Sequence, residues 1–312
     1  FHHHLSLKQQ LKITKFIKNT KQYILNTFDV CDELCMVLSP YKSYQPFITN
    51  IHENKIKLQK LYNNLCGIIE TPYTLIKISQ IGKIMKEFYE LFTNAEYHES
   101  MAFSFGLYGY LENICQLQNL YKSKLINPCK FDKKTKFKKS YYVSLINNKP
   151  VKNSYSVCKN EIITGPNAAG KTTLLKSTLF NIICSQQFGL GFYSSASIHP
   201  YDYLHCYLNI PDTSGRDSLF QAEARRCKEI IQFIDDYPDK RHFCIFDELY
   251  SGTNPEDAVE SADSFIKYLC KRPVTFMLTT HYIDLCHKLK PIKNIRNSCM
   301  KIIEENNNIK YT

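Results

Sequence analysis

The sequence predicts an α/β fold with a mainly parallel sheet flanked by helices, preceded by an all-α helical domain. Residues 5–127 repeat apolar side chains at three- and four-residue spacing, and they contain only four glycines. After residue 150, short apolar runs alternate with helical patterns, which indicates a parallel sheet covered by helices. A chain of 312 residues suits about two domains, which we place at 1–127 and 128–312.

Composition excludes several other classes of protein. Hydrophobic residues make up 44% of the chain and charged residues 22%, which is ordinary for a globular protein and unlike a disordered one. No apolar run approaches the ~18 residues of a membrane-spanning helix, so we expect no membrane association. The start, Phe1-His2-His3-His4-Leu5, lacks a Met and resembles no secretory signal. We therefore expect a piece of a longer protein that is not secreted.

The thirteen cysteines are scattered, and no two of them are spaced C-x-x-C. Because Cys31 and Cys35 are the closest pair, zinc-binding spacing is missing, and a disulfide framework is not expected in a chain this long. We expect reduced, mostly buried thiols. This predicts an intracellular, reducing compartment, either the cytoplasm or the nucleus.

Charge is distributed unevenly along the chain. The formal net charge is +11, of which residues 1–150 carry +10 and residues 151–312 carry +1. The stretch Lys122–Lys149 holds nine lysines and one acid, Asp132. Such asymmetry is typical of a protein that binds a polyanion. An alternative stays open, because Lys outnumbers Arg 34 to 6 and a lysine run is often an ordinary solvated loop.

The first 127 residues are expected to form several helices. The periodic apolar positions are Leu11, Ile13, Phe16 and Ile17, then Leu58, Leu61, Tyr62 and Leu65, and then the stretch Leu75–Phe92. Thr71-Pro72 and Asn127-Pro128 are expected to break helices. The segment Lys130–Lys149 is basic and weakly patterned, which predicts a loop with one short strand at Tyr141–Leu145.

The second part of the chain is expected to alternate strands and helices. The strand predictions are Glu161–Thr164, Tyr201–Ile210, His242–Phe246 and Val274–Thr279, and the helix predictions are Thr172–Cys184, Ser218–Ile234 and Asp257–Leu269.

The sharpest motif lies between the first of these strands and the first of these helices. Residues 165–172 fit the phosphate-binding pattern G-x-x-x-x-G-K-[ST] in full. Glycines let backbone N–H groups turn toward phosphate oxygens, and the start of the following helix adds its positive dipole end. Lys171 is expected to reach the β- and γ-phosphates of ATP, and Thr172 to offer its hydroxyl to Mg²⁺. The predicted nucleotide-binding residues are Gly165, Pro166, Asn167, Ala168, Ala169, Gly170, Lys171, Thr172 and Thr173.

Two further strands end in polar residues that suit the same chemistry. Phe243–Phe246 is apolar and is followed by Asp247 and Glu248, 76 and 77 residues after Lys171. Asp247 is expected to hold Mg²⁺, and Glu248 to act as general base toward the attacking water. The strand ending at Thr279-Thr280 is followed by His281, which we expect to sense or stabilise the γ-phosphate. Ligands of open α/β sheets gather at such strand ends, so we expect these acids to face the phosphate loop from the neighbouring strand.

Two more segments combine a capping pattern with a place for an anion. Ser218 and Gln221 make an S-x-x-Q capping box at the start of a helix, and a helix start with a free hydroxyl is also an anion site. We expect Ser218 to meet a γ-phosphate bound by another subunit. In Ser251–Asp257, Asn254 is expected to cap a helix that begins at Pro255, either as a purely structural cap or at a nucleotide-bridged interface.

Together these motifs resemble the MutS family of DNA mismatch-repair ATPases. The matching segments are TGPNAAGKTT (164–173), DELYSGTNP (247–255), TTHY (279–282), SGRDSLFQAE (214–223) and Val151-Lys152-Asn153, which stand in the family's order. Within SGRDSLFQAE, a trans-acting segment in that family, the recurring residues would be Ser218, Phe220 and Glu223. The resemblance covers about residues 150–290. No motif of the family is matched in 5–127, which would correspond to its lever and core helices.

The resemblance implies an ABC-type P-loop ATPase that uses ATP and Mg²⁺ and couples ATP-dependent dimer changes to DNA binding. Lys171, Glu248 and His281 would be the catalytic residues, Thr172 and Asp247 the metal ligands, and Ser218 would act in trans. The DNA would be mismatched or branched and would be bound by residues outside or N-terminal to the ATPase domain. The dimer, homomeric or heteromeric, would form through the ATPase domain.

The chain departs from the family at three points. Pro150 stands where the family often places an aromatic residue that stacks on adenine, and Asn254-Pro255 replace the usual small hydroxyl residues. The Phe-x-Glu mark of the mismatch-reading domain is matched by Phe88-Tyr89-Glu90, but this lies in an amphipathic helical stretch, so we interpret it as chance.

Other classes of ATPase remain as alternatives. In a transporter ATPase we would expect a Leu-Ser-Gly-Gly signature, which the sequence lacks, and an SMC-like ATPase places a long coiled coil where only 76 residues separate Lys171 from Asp247. A nucleotide-binding scaffold that does not hydrolyse ATP is disfavoured by the presence of both Asp247 and Glu248.

Overall fold

The structure is a computed structural model, and it describes residues 7–67, 75–208, 219–305 and 308–311. Its chain forms two compact units, residues 1–118 and residues 119–312. We call them the helical unit and the αβ unit and describe each by itself. None of the described helices is both long enough and apolar enough to cross a membrane. All thirteen cysteines are free.

The helical unit contains long helices whose apolar positions pack into two clusters. The helices are α1 (Leu7–Leu38), α2 (Gln45–Cys66), α3 (Leu75–Thr93) and α4 (Ala95–Lys122), with a 3₁₀ turn at Lys42–Tyr44. Leu58, Leu61 and Leu65 of α2 are buried against Ile17 and Ile24 of α1. The expected breaker at Thr71-Pro72 lies outside the described residues.

The start of α4 shows how a single polar residue sets a helix boundary in this unit. The Asn94 side-chain oxygen accepts hydrogen bonds from the backbone N–H groups of Glu96 (3.0 Å) and Tyr97 (3.4 Å). These bonds satisfy donors that have no partner within the helix, so Asn94 is an N-cap. The final turn of α4 extends beyond Gln118 and therefore belongs to the αβ unit.

The αβ unit alternates strands and helices. In chain order its elements are β1 (Asn127–Phe131), β2 (Lys136–Ser140), a 3₁₀ turn (Val143–Asn148), β3 (Asn153–Ser156), β4 (Asn160–Thr164), α5 (Lys171–Phe188), β5 (Leu190–Gly191), β6 (Ser195–Ile198), β7 (Tyr203–Tyr207), α6 (Leu219–Asp236), β8 (His242–Asp247), α7 (Pro255–Leu269), β9 (Val274–Thr279), α8 (Ile283–Leu289), β10 (Ile295–Cys299), β11 (Ile302–Glu305) and β12 (Asn308–Tyr311).

The central sheet has the strand order β10-β4-β9-β8-β7, and all four pairings are parallel. Its strands are apolar on both faces because helices cover both sides. In β8, Phe243 and Ile245 pack with Leu175 of α5, whereas Phe246 on the other face packs with helices α6 and α7. The predicted mixed α/β fold with a parallel sheet and flanking helices is confirmed.

The second sheet is mixed, with the order β3-β2-β6-β1-β5. Strand β6 runs parallel to β1 and antiparallel to β2. One face packs into the core through Phe137, Ala196 and Ile198. The other face carries Lys130, Lys136 and Lys138, all exposed. We call these three residues the lysine face.

The expected strand at Tyr141–Leu145 is wrong. The strand is β2, five residues earlier at Lys136–Ser140, and the 3₁₀ turn Val143–Asn148 occupies most of the predicted segment. The error has a physical reason. In Lys136-Phe137-Lys138, only Phe137 turns inward, where it is 3% exposed, and the flanking lysines keep their charges in solvent. The alternation of apolar and polar residues that indicates a half-buried strand is therefore reduced to one apolar residue, Phe137, between lysines.

Candidate functional site

The loop from Gly165 to Gly170 joins the end of β4 to the start of α5. Gly165 has a φ of +148° and Gly170 a φ of +88°, values that favour glycine. A side chain at Gly165 would also approach the Cβ and carbonyl oxygen of Met300 to 3.0 Å. The backbone N–H of Ala169 donates to the carbonyl of Pro166 (3.2 Å) and closes the turn. Pro166, Asn167 and Ala168 are exposed, so the outer rim of the loop is open to a ligand.

Lys171 begins α5 and points back over this loop. Its ammonium group donates to the carbonyl oxygens of Gly165 (2.9 Å) and Pro166 (3.1 Å), and the residue is 5% exposed. A buried ammonium at a helix N-terminus places positive charge and backbone N–H groups at one point. This arrangement suits an anion such as a phosphate group.

Asp247 lies at the end of β8 and touches two threonines. Its Oδ1 accepts hydrogen bonds from the Thr172 hydroxyl (3.1 Å) and from the Thr279 hydroxyl (2.5 Å). Two oxygens that bind one Mg²⁺ ion side by side, at ~2.1 Å each, lie about 3 Å apart. The spacing between the Thr172 hydroxyl and the Asp247 carboxylate therefore fits a shared magnesium ion.

The strands that carry these residues are not direct neighbours, contrary to expectation. Strand β9 lies between β4 and β8 and pairs with both in parallel register. The sheet therefore brings the phosphate loop and Asp247 together across an intervening strand. Thr279, which pairs with Asp247 in the register of β8 and β9, fills the gap with its hydroxyl.

Glu248 and His281 follow β8 and β9 and face each other. The distance from His281 Nδ1 to Glu248 Oε1 is 3.8 Å, and both side chains are partly exposed, at 48% and 38%. The Glu248 N–H donates to the Thr279 carbonyl (3.0 Å), which ties the acid to the end of β9. A carboxylate and an imidazole thus stand at the same sheet edge as the phosphate loop, open to water and substrate.

A cleft of about 190 Å³ lies beside the phosphate loop. Gly170 and Thr173 form its wall on the loop side, and Tyr142, Pro150 and Val151 contribute its apolar wall. Pro150 therefore lines a cleft even though it is not aromatic. Tyr142, two residues beyond β2, supplies an aromatic ring to the same cleft.

The remaining predictions divide between described and undescribed residues. The cap at Asn254 is confirmed, because its side chain accepts from the Asp257 N–H (3.0 Å) and Pro255 begins α7. Ser218 lies outside the described residues, so the capping box and the contact in trans stay predictions. The structure brings Lys171, Thr172 and Asp247 together, and it places Glu248 beside His281.

Sequence reasoning missed the contacts that three residues make at or beside this site. Thr279 stands in a recognised motif, but its role as a partner of Asp247 depends on strand register. Tyr142 lies in a segment whose conformation was mispredicted. Glu223 is buried at 2% exposure, and its carboxylate binds the loop after β8. Its signal was its place in the segment SGRDSLFQAE, five residues after Ser218.

This combination of fold and loop defines a class of protein. A glycine-rich loop that joins a parallel strand to a helix, with an acid ending a nearby strand, is the arrangement of P-loop nucleotide-binding domains. Residues 161–312 match the sequence model of MutS domain V. This part of the chain is therefore a MutS-type domain V.

Individual relatives match segments of 124 to 152 residues of this chain. Endonuclease MutS2 of Acetivibrio thermocellus is 30% identical over 139 residues, which is 44% of this chain and 17% of that protein. DNA mismatch repair protein MutS of Bacteroides fragilis is 30% identical over 152 residues, 47% of this chain and 17% of that protein. Endonuclease MutS2 of Staphylococcus epidermidis is 33% identical over 124 residues, 40% of this chain and 16% of that protein. The matched segment spans about a sixth of each relative.

Proposed function

We propose that this chain binds and hydrolyses ATP with Mg²⁺ and couples ATP-dependent dimer changes to DNA binding, in mismatch repair or a related DNA transaction. The observation that carries the proposal is the contact between the Thr172 hydroxyl and Asp247 (3.1 Å) beside the buried Lys171. A lone phosphate loop would suit many anions. The added oxygen pair suits a nucleotide that arrives with a magnesium ion.

Each side chain then has a defined part in phosphoryl transfer. Backbone N–H groups of residues 165–173 and the Lys171 ammonium hold the β- and γ-phosphates, and Thr172 and Asp247 hold Mg²⁺. When bound, the metal would neutralise negative charge that develops on the transferred phosphoryl group. Glu248 accepts the proton of the attacking water, and His281 contacts the γ-phosphate from the facing side.

The adenine base is proposed to occupy the cleft beside the loop. Gly170 and Thr173 connect that cleft directly to the phosphate-binding backbone. Its wall of Tyr142, Pro150 and Val151 offers an apolar, partly aromatic surface of the kind on which a base stacks. Tyr142 would thus provide the ring that is missing at position 150.

DNA binding rests on family membership and on charge. The relatives are named for DNA mismatch repair and for endonuclease activity, so both point to a nucleic-acid substrate. The lysine face of the mixed sheet adds a second support, because it presents three exposed cations on one face of neighbouring strands. Binding through residues outside or N-terminal to the ATPase domain also stays part of the proposal.

The test is phosphate release measured with homoduplex, mismatched and branched DNA side by side. We expect ATP turnover that at least one of these DNAs changes, because ATP state and DNA binding are coupled. Light scattering with and without ATP, on the same preparation, measures the expected change in dimer mass. Turnover that no DNA alters would contradict the coupling, and absence of turnover under every condition would contradict the hydrolysis.

A further inference from the structure

The loop that follows Asp247 holds a conformation that its own residues do not favour. Glu248 has a φ of +53° and Tyr250 a φ of +58°, and both are left-handed conformations that side-chain-bearing residues seldom adopt. Such a conformation is unfavourable for these residues and persists only where surrounding contacts impose it. Because Glu248 is one of the two residues, these contacts also decide where its carboxylate points.

Besides the bond from the Glu248 N–H to the Thr279 carbonyl, the loop is held by one buried side chain on α6. Glu223 Oε1 accepts hydrogen bonds from the Ser251 N–H (3.1 Å) and the Ser251 hydroxyl (3.0 Å), and Oε2 accepts one from the Gly252 N–H (3.1 Å). Hydrogen bonds to a charged acceptor are stronger than neutral ones. At 2% exposure, the Glu223 carboxylate is shielded from competing water.

The same loop is pressed against the first turn of α6. A Cβ at Gly252 would lie 2.7 Å from Leu219 Cγ and 2.9 Å from the Phe220 nitrogen, so only glycine fits this approach. The ring of Tyr250 contacts the ring of Phe220, with centroids 5.6 Å apart. Loop 248–252 and the N-terminal end of α6 therefore form one tightly joined body.

We propose that Glu223 is a positioning residue for ATP hydrolysis, fixing loop 248–252 to the first turns of α6 so that Glu248 is held in its working orientation. The inference rests on the proposed function, because it assigns Glu248 the role of general base. Ser218, proposed to meet the partner's nucleotide, directly precedes α6 in the sequence. Glu223 thus connects α6, the helix that follows Ser218, to the loop that carries Glu248 of the same chain.

The experiment compares the full chain with Glu223→Gln. The substitution keeps the shape of the side chain but replaces one acceptor oxygen with an amide NH₂, which then faces the N–H of Ser251 or Gly252. We expect kcat to fall about 100-fold, the effect of misplacing a reacting group by about 1 Å. The dissociation constant for ATP should stay within twofold, because Glu223 touches no part of the nucleotide site.

Two control variants bracket this effect. Ser251→Ala removes one of the three hydrogen bonds and should lower kcat severalfold without threatening the fold. Glu229→Gln changes an exposed glutamate on the same helix and should leave kcat unchanged. A graded loss, large for Glu223→Gln and small for Ser251→Ala, supports positioning even where the first variant loses thermal stability.

A double variant separates positioning from a purely structural role. If Glu223 acts through Glu248, adding Glu223→Gln to Glu248→Gln should lower the residual turnover less than about twofold. An equal loss in both backgrounds, or wild-type kcat in Glu223→Gln, would overturn the inference while the proposed function stands. Absence of turnover in the unaltered chain would overturn the proposed function and the inference with it.

Discussion

The two sheets of the αβ unit differ in whether their basic side chains are paired with acids. Around the parallel sheet, several basic side chains are paired with acids, as in Lys267 with Asp263 (2.7 Å) and Arg296 with Glu161 (2.7 Å). On the mixed sheet, no described acid pairs with any of the three lysines of the lysine face, and their cross-strand neighbours are serines. The difference follows the sequence, because β1 and β2 come from the stretch Lys122–Lys149, which holds nine lysines and one acid, whereas residues 151–312 carry a net charge of only +1.

This difference shows where each sheet can accept a charged ligand. At the edge of the parallel sheet, the buried Lys171 is satisfied by carbonyl oxygens of its own loop, so an anion must fit a shaped pocket. On the mixed sheet, the three exposed lysines would attract an extended polyanion by charge, without a defined pocket. Substitutions at the phosphate loop are expected to cause large losses of ATP binding or hydrolysis. Substitutions on the lysine face are expected to cause smaller, salt-dependent losses of DNA binding.

The largest expected effect comes from Lys171→Ala at the phosphate loop. Loss of a buried cation that is proposed to contact phosphate should weaken ATP binding by about 4 kcal/mol, or about 1,000-fold. Titration with a fluorescent ATP analogue measures the dissociation constant. Lys176→Ala, on the same helix but outside the loop, is the matched control. Similar losses in both variants would show that the loop is not the binding site.

The next effect separates binding from chemistry within the parallel-sheet edge. Glu248→Gln keeps the size of the side chain but removes its basicity, so hydrolysis should fall about 100-fold while ATP stays bound. Single-turnover phosphate release measures the first quantity and retention of ATP on a filter measures the second. Glu256→Gln, an exposed acid in the first turn of α7, serves as the control. Wild-type hydrolysis in Glu248→Gln would exclude it as the general base.

The sequence predicted the elements of this edge better than their arrangement. Strand β9 coincides with its predicted range, Val274–Thr279, because a short apolar run buried on both faces has a clear local signature. The insertion of β9 between β4 and β8, and hence the Thr279 contact with Asp247, depends on pairing between distant segments. No local pattern specifies such pairing.

The mixed sheet shows the opposite limit of sequence reasoning. Its strands β5 and β6 have two and four residues, and β2 alternates lysine with phenylalanine, so neither length nor hydrophobicity marked them as strands. The position of Tyr142 in the cleft was hidden for the same reason. The roles assigned to the site residues stay predictions, and these variants test them.

A charge reversal on the lysine face tests whether this face binds DNA through its charge. Lys136→Glu with Lys138→Glu should weaken binding to duplex DNA about tenfold and reduce the slope of log affinity against log salt by about 2. ATP hydrolysis without DNA should not change. Lys271→Glu with Lys290→Glu alters the net charge equally elsewhere in the unit. If both pairs weaken DNA binding alike, net charge and not this face governs the interaction.

The smallest expected effect concerns a buried histidine pair in the parallel sheet, where the chain avoids charge altogether. His242 Nε2 donates to the Tyr237 carbonyl (2.9 Å), so its Nδ1 is an acceptor and His205 Nε2 donates to it (3.0 Å). Burial, together with nearby His242 and Arg226, lowers the pKa of His205 to about 4.

In the unfolded chain, His205 takes up a proton near its ordinary pKa of about 6.5, whereas in the folded chain it stays neutral. Its contribution to stability is therefore complete above pH 6.5 and is lost as the pH falls toward 4. Lowering the pH from 7 to 5.5 should therefore reduce the free energy of unfolding, measured by urea denaturation, by about 1 kcal/mol. His205→Gln, which can still donate to His242, should flatten this dependence, whereas His287→Gln at an exposed site should not. If the free energy of unfolding changes with pH in the same way in all three proteins, its pH dependence comes from groups other than His205.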